Sequence, residues 1–161
     1  MSQPCHDTPA DSRVWVVDDD ADCRTMVREA VAGAAPGCEV NEIPSGVEAI
    51  EQLRRVGRDL QKRPDLIVLD VDMPGLSGLE VLRAAKADPA LADIPVVMLT
   101  GGATPSLREA SIAIGAAECY CKPVSATRFA RTVVTAVEHC LRVAKARQFN
   151  RAAWRRSKAD E

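Results

Sequence analysis

Short apolar runs alternate with longer amphipathic stretches along the chain. Residues 14–17, 66–69 and 94–99 are apolar at nearly every position, which is typical of central strands that helices cover on both faces. Residues 38–43 alternate between apolar and polar, and residues 116–121 are short and partly polar, so both predict edge strands. Strands that alternate with helices form βαβ units, and the pattern therefore predicts an α/β fold around a parallel sheet.

The starts of the helices are marked by capping residues. Ser45 and Ser77 are each followed three positions later by a glutamate, which is the pattern of a capping box. Thr104 precedes a proline at a first helical position, and Ser125 opens the last amphipathic stretch. Together with apolar residues at helical spacing, these signals predict five helices beside the five strands. Between the second helix and the third strand, residues 54–64 are rich in basic side chains, and we expect them to form a solvated face.

Composition and length exclude several classes of protein. The chain has 161 residues, 47% of them hydrophobic and 27% charged, which suits one globular domain with short ends. It contains no apolar run long enough to cross a bilayer, and its first twelve residues lack the features of a secretory signal. Six cysteines occur without Cys-x-x-Cys spacing, so we expect neither disulfides nor a zinc site. We therefore expect a cytoplasmic protein.

The charge is distributed unevenly, although the net charge is only −2. All seven charged residues from Arg142 to Lys158 are basic. We divide the chain into a disordered N-terminal segment, residues 1–12, a folded domain, residues 13–145, and a basic tail, residues 146–161. The tail is either a solvated end, an extension of the last helix, or a binding segment for an acidic partner, and it is too short for a separate DNA-binding domain.

Polar side chains follow the ends of four predicted strands. Asp18 and Asp19 come after the first apolar run, and Asp70 ends the third. Thr100 follows the fourth, and Lys122 follows the fifth. Because the carboxyl ends of parallel strands meet at one edge of the sheet, we expect these side chains to lie together although they are far apart in sequence.

Three carboxylates at this edge need a compensating cation, since two like charges 4 Å apart repel by about 4 kcal/mol at an effective dielectric of 20. Mg²⁺ fits because it prefers carboxylate oxygens and water and also bridges phosphoryl oxygens. The Lys122 ammonium could pair with Asp70 or with a phosphoryl group, and the Thr100 hydroxyl could donate to a phosphoryl oxygen. Asp70 ends a buried strand just before a Pro-Gly break, which makes it the candidate nucleophile.

These motifs, in this order, are similar to those of the receiver domains of two-component response regulators. The resemblance covers residues 13–144 and is carried by the following elements: the pair Asp18-Asp19, Asp70 with Met73-Pro74 and Gly78, Thr100, Lys122 and Pro123. It implies a doubly wound, five-stranded parallel sheet in the order 2-1-3-4-5 with five helices, a flavodoxin-like three-layer sandwich.

The resemblance also implies roles for single residues. Asp70 would accept a phosphoryl group from a phosphohistidine on a sensor histidine kinase or a histidine phosphotransfer protein. Thr100 and Lys122 would contact that phosphoryl group. Mg²⁺ would be bound by four residues: Asp18, largely through water, Asp19, Asp70 and the backbone carbonyl of Asp72.

By the same resemblance the protein is expected to be a stand-alone, single-domain regulator of the chemotaxis-regulator type. It would catalyse only its own phosphorylation and dephosphorylation and would signal through contacts with a downstream protein target. It would have no separate DNA-binding domain and no membrane span, and it would be a monomer or a phosphorylation-dependent dimer.

Two positions depart from the family pattern. Cys119 stands three residues before Lys122, where the family usually has an aromatic switch residue, and Tyr120 is one position too late, so strand alternation turns it to the other face. Asp72 places an acidic group two residues after Asp70, where the family tunes dephosphorylation. Our hypothesis is that Asp72 alters the lifetime of the phosphorylated state.

Two alternatives stay open. The sequence Asp70-Val71-Asp72 resembles the Asp-x-Asp motif of haloacid-dehalogenase-like phosphohydrolases, but in that family the motif normally belongs to the first strand and the acidic pair comes late. The altered switch position, Cys119, also leaves open a phosphorylation-independent adaptor built on a receiver scaffold.

Overall fold

The computed structural model describes residues 12–159. In this part of the chain five strands are present: β1 Arg13–Val17, β2 Glu39–Ile43, β3 Leu66–Asp70, β4 Val96–Thr100 and β5 Glu118–Cys121. They alternate with five α-helices: α1 Ala21–Ala34, α2 Gly46–Val56, α3 Gly78–Ala87, α4 Pro105–Ile114 and α5 Ala126–Ala159. A single 3₁₀ turn, Leu60–Lys62, lies between α2 and β3.

All strand pairs are parallel, and the sheet order is β2-β1-β3-β4-β5. The predicted fold class and strand order are thus confirmed. The register pairs Asp70 with Leu99 and Thr100 with Cys121, so the strands end close to one another at the carboxyl edge. The edge that carries the polar residues is therefore a single continuous rim.

Helices cover both faces of the sheet, which explains why β3 and β4 are buried along their whole length. On one face Trp15 and Ile67 pack in a core with residues of α2 and α3. On the other face Val16 and Val68 pack with residues of α1 and α5. The three layers follow from uninterrupted apolar strands, because every second residue must be covered on each side.

Strand β5 divides its side chains between the two layers. Cys119 is buried in the core on the α2 and α3 side, and Tyr120 packs against the core on the α1 and α5 side. The predicted alternation is confirmed, and the aromatic ring of this strand faces away from the layer that contains Cys119.

Three strands are shorter at their start than the sequence predicted, and β2 is shorter by one residue, since it begins at Glu39 rather than at Cys38. Strand β4 begins at Val96 rather than at Ile94, because the Ile94 N–H donates to Leu91 O and Pro95 has no N–H. Strand β5 begins at Glu118 rather than at residue 116, because the Ala116 N–H still bonds to Ser111 O at the end of α4. At its other end β4 includes Thr100, one residue beyond the predicted strand.

The basic stretch before β3 is only partly a solvated face. The Arg63 guanidinium donates to Ala90 O at 2.7 Å and to an Asp93 carboxylate oxygen at 2.8 Å. Val56, at the end of α2, is buried. The expectation of a solvated face was wrong for these two residues, because Val56 packs in the core and Arg63 forms an ion pair with Asp93.

Helix α5 packs its first half against α1 and the sheet. Its buried side chains extend from Phe129 to Leu141, and Arg142 and Val143 are already exposed. The helix continues through the predicted domain boundary at residue 145 to Ala159. Residues 1–11, which include nearly all of the segment predicted to be disordered, lie outside the described residues.

Within residues 12–159, no helix combines the length and the apolar character that crossing a bilayer would require.

Candidate functional site

Polar side chains are buried at the carboxyl edge of the sheet. Asp18 follows β1 with 2% of its surface exposed, Asp70 ends β3 with 4% exposed, and Thr100 ends β4 fully buried. They account for three of the five buried polar residues in the described part of the chain. Burial of polar groups is costly unless they are paired, so their concentration at one edge marks a candidate site.

The carboxylates form one cluster. Oxygen atoms of Asp18, Asp19 and Asp70 all lie within 4.8 Å of one another. Asp18 and Asp70 are buried, whereas Asp19 is exposed, so the cluster opens to solvent on one side. Hard, anionic oxygens with room for water are the donors that Mg²⁺ prefers, and the residues present therefore fit this ion.

Lys122 lies between the two buried carboxylates. Its ammonium nitrogen is 2.8 Å from Asp18 Oδ2 and 3.2 Å from Asp70 Oδ1. Burial acts to lower the pKa of Lys122, but the hydrogen bond and charge of Asp18, together with the charge of Asp70, raise it above its usual value. One permanent cation is thus shared by two anions.

The two buried carboxylates are compensated unequally. Burial acts to raise the pKa of Asp18, but hydrogen bonds from Cys23 and Lys122 and from the backbone of Asp20 hold it below the usual value. Burial and the neighbouring charge of Asp18 raise the pKa of Asp70, which the contact with Lys122 only partly offsets. The negative charge of Asp70 is therefore less completely compensated than that of Asp18.

The loop after β3 holds Asp70 through a close backbone approach. The Gly78 N–H donates to Val71 O at 3.0 Å, and a Cβ atom at position 78 would overlap the carbonyl oxygen of Asp70. Helix α3 begins at this glycine, where the Ser77 N–H donates to Glu80 Oε2 at 2.8 Å in the predicted capping box. The Pro-Gly break and the cap thus fix the position of the strand end that carries Asp70.

Thr100 and Asp72 are joined by a side-chain hydrogen bond. The Thr100 hydroxyl donates to Asp72 Oδ2 at 3.0 Å and accepts from the Gly102 N–H at 3.2 Å. The Asp72 N–H makes a long contact of 3.4 Å with Asp70 Oδ1. The structure therefore brings Asp18, Asp19, Asp70, Thr100 and Lys122 to one edge, and the Asp72 side chain faces Thr100.

Asp20 belongs to the helix rather than to the cluster. Its carboxylate accepts from the Asp22 N–H at 2.9 Å and caps the start of α1.

One residue of the site was missed from the sequence. The Cys23 thiol, buried in the first turn of α1, contacts Asp18 and Lys122, and burial together with Asp18 raises its pKa to about 12. It is therefore a neutral thiol that can donate to the Asp18 carboxylate. The only signal for it in the sequence is the position of Cys23 in the helical turn that follows the acidic run.

Comparison with known proteins agrees with this geometry. Residues 14–134 match the model of the response regulator receiver domain family. The polar-differentiation response regulator DivK of Brucella anthropi is 35% identical over 121 residues, which are 74% of this chain and 91% of DivK. Several other curated relatives are longer, and the chain spans 25% to 45% of their length.

Solved structures show the same fold. The phosphorylated cyanobacterial phytochrome response regulator RcpA superposes with a TM-score of 0.74 at 30% identity, covering 81% of this chain and 94% of RcpA. The Mn²⁺-bound form of response regulator Rcp1 superposes with a TM-score of 0.70 at 26% identity, covering 77% of this chain and 90% of Rcp1. With the matched family model, the parallel sheet and the acidic edge in agreement, the chain belongs to the response-regulator receiver-domain family of two-component signalling.

Proposed function

We propose that this chain is a phosphorelay receiver in which Asp70 accepts a phosphoryl group from a histidine kinase or a histidine phosphotransfer protein. The observation that carries the proposal is the incompletely compensated Asp70 carboxylate, which lies 3.2 Å from the Lys122 ammonium and beside the exposed acid Asp19. A buried nucleophile with a fixed cation and an open side is suited to accept an anionic group from a partner.

In the proposed reaction a carboxylate oxygen of Asp70 attacks the phosphorus atom of a phosphohistidine. A P–O bond forms as the P–N bond breaks, and the imidazole leaves with the electron pair of that bond. Only ionised Asp70 can attack, so the contact with Lys122 matters because it opposes the rise in the pKa of Asp70. After transfer, the Lys122 ammonium remains within reach of the new anionic group.

Mg²⁺ would be held by the carboxylates of Asp19 and Asp70, by the backbone carbonyl of Asp72 and, largely through water, by Asp18, and it would supply positive charge to the phosphoryl oxygens. The close approach of the three carboxylates supports this proposal, because such a cluster attracts a hard cation.

The output of the phosphorylated state is proposed to be a contact with a downstream protein, made by a cytoplasmic receiver that is a monomer or a phosphorylation-dependent dimer. Cys119 stands at the position where the family usually has its aromatic switch residue, and Tyr120 lies in the other layer of the fold. The usual rotation of an aromatic ring is therefore not part of the proposal. The family match argues against the phosphohydrolase alternative.

Phosphorylation with acetyl phosphate and Mg²⁺ tests the proposal. We expect intact-mass spectrometry to show the addition of one phosphoryl group to the wild-type protein, none to Asp70→Asn, and one to the matched control Glu51→Gln, whose exposed carboxylate lies on α2. Labelling that persists in Asp70→Asn would overturn the assignment of Asp70. A wild-type protein that is never labelled would favour the phosphorylation-independent adaptor, and turnover of a phosphomonoester would favour the hydrolase.

A further inference from the structure

The hydroxyl proton of Thr100 is already in use in the unphosphorylated protein. Thr100 is fully buried, donates to Asp72 Oδ2 at 3.0 Å and accepts from the Gly102 N–H at 3.2 Å. A threonine hydroxyl has one proton to donate. Another acceptor at this edge can therefore accept a hydrogen bond from the Thr100 hydroxyl only if the bond from Thr100 to Asp72 is broken.

A phosphoryl group on Asp70 would be such an acceptor. Its peripheral oxygens accept hydrogen bonds and carry negative charge, so they bind donors and repel carboxylates. Thr100 ends the strand next to Asp70, since Asp70 pairs in register with Leu99. The phosphoryl group and the Asp72 carboxylate would thus compete for one proton and would also repel each other.

The contact between Asp72 and Thr100 is suited to exchange. Asp72 is exposed, so water can replace Thr100 as the partner of its carboxylate, whereas buried Thr100 has no comparable access to water. The backbone of Asp72 makes a separate contact, from its N–H to Asp70 Oδ1 at 3.4 Å. The side chain can therefore be changed while the backbone that faces Asp70 stays in place.

From these contacts we infer that Asp72 is a positioning residue that opposes the phosphorylated state by holding the Thr100 hydroxyl. Formation of that state requires the Thr100 hydroxyl to exchange its hydrogen bond to Asp72 for one to a phosphoryl oxygen. This inference rests on the proposed phosphorylation of Asp70 and adds a ground-state competitor to it. The Asp72 side chain would thus shift the equilibrium between the unphosphorylated and phosphorylated conformations, separately from any effect on the rate at which the phosphoryl group is hydrolysed.

A double-mutant cycle with beryllofluoride tests the inference, because this phosphoryl mimic binds without any hydrolysis step. The affinity for beryllofluoride is measured at saturating Mg²⁺ in the wild-type protein, Asp72→Ala, Thr100→Val and the double variant. We expect Asp72→Ala to tighten binding about fivefold when Thr100 is present. We expect the same substitution to change binding by less than about twofold when residue 100 is valine, since no shared proton remains.

Two further variants separate this coupling from simple charge repulsion. Asp72→Asn removes the charge but keeps an acceptor for Thr100, so we expect a smaller gain in affinity than Asp72→Ala gives. Glu51→Ala removes one remote, exposed charge, and we expect beryllofluoride affinity to stay at the wild-type value. Thr100→Ala repeats the cycle with a smaller side chain in the event that valine disturbs β4.

An equal gain from Asp72→Ala in both backgrounds would overturn the inference and assign the effect to charge alone. No gain in either background would overturn it as well. Failure of the proposed function gives a different result, because the wild-type protein would then bind no beryllofluoride or would bind it equally well as Asp70→Asn.

Discussion

The two edges of the sheet differ in how completely their charged groups are paired. At the amino edge, before β3 and β4, Arg63 meets Asp93 at 2.8 Å and also donates to a backbone carbonyl, and the Arg13 N–H donates to an Asp65 oxygen at 2.8 Å. At the carboxyl edge two buried carboxylates share the single ammonium of Lys122. The amino edge therefore matches donors with acceptors, and the carboxyl edge keeps an excess of acceptors.

The difference shows where the fold is optimised for stability and where it is optimised for a ligand. A buried anion without its own cation destabilises the folded state until a proton, a metal ion or a positive group arrives. The raised pKa of Asp70 reflects this incomplete compensation of its charge. Substitutions at the two edges should therefore respond differently to pH and to Mg²⁺.

Lys122→Met should have the largest effect of these substitutions. Removing the shared ammonium leaves Asp18 and Asp70 buried side by side, and we expect a loss of about 3 kcal/mol in the free energy of unfolding near neutral pH, measured with urea. The loss should shrink from about pH 7 to about pH 5, because both carboxylates then bind protons more readily in the folded state. Mg²⁺ should restore part of the lost stability. An equal loss at both pH values would contradict the explanation by uncompensated carboxylate charge.

Arg63→Met makes the same change of charge at the amino edge. We expect a loss of about 1.5 kcal/mol, because the partly buried bonds to Asp93 and Ala90 are removed. Mg²⁺ should not restore this loss, since the carboxylate cluster lies at the opposite edge. Recovery with Mg²⁺ would contradict the separation of the two edges.

Asp70→Asn should stabilise the protein, although it removes the proposed phosphoacceptor. Because folding raises the pKa of Asp70, the folded state binds this proton more tightly than the unfolded chain does. Ionisation of Asp70 therefore lowers stability as the pH rises above the ordinary carboxyl range. We expect a gain of about 1 kcal/mol near pH 7 in urea unfolding, shrinking toward about pH 4. A loss of stability near neutral pH would show that the bond from Lys122 to Asp70 outweighs the burial of the charge.

Glu39→Gln should have the smallest effect. The exposed Glu39 carboxylate lies 3.2 Å from Arg13 at the amino edge, and such pairs are screened by solvent and salt. We expect a change below about 0.5 kcal/mol that disappears in high salt. A larger change that persists in salt would mean that the pair at the start of β1 and β2 sets the strand register.

The sequence predicted the carboxyl edge better than the amino edge, for a physical reason. Strands such as β3 can be recognised in the sequence by their apolar runs, and a parallel sheet brings their carboxyl ends together. Asp70, Thr100 and Lys122 could therefore be predicted to lie beside one another from the sequence alone. Arg63 lies in a basic stretch without periodicity, and its partners come from the segment before β4, so its ion pair could not be predicted.

Side-chain directions within the loops also escaped prediction. Strand alternation placed Cys119 and Tyr120 in different layers correctly, because the period of a strand is regular. No such period applies to the loop that contains Asp72, so the bond from Thr100 to Asp72 became visible only in the structure. The contact of Cys23 with Asp18 likewise depends on how the first turn of α1 meets the end of β1.

The close approach at Gly78 limits how this site can vary in sequence. A side chain at position 78 would collide with the backbone of Asp70 and Val71, so even alanine must displace the end of β3. Displacements of about 1 Å are enough to disturb a reacting group. In a library that randomises the residues of this loop, receiver function should therefore be lost most often by substitutions at Gly78, although this residue contributes no atom to the chemistry. The sequence variation that the site tolerates is thus limited by a residue that has no side chain.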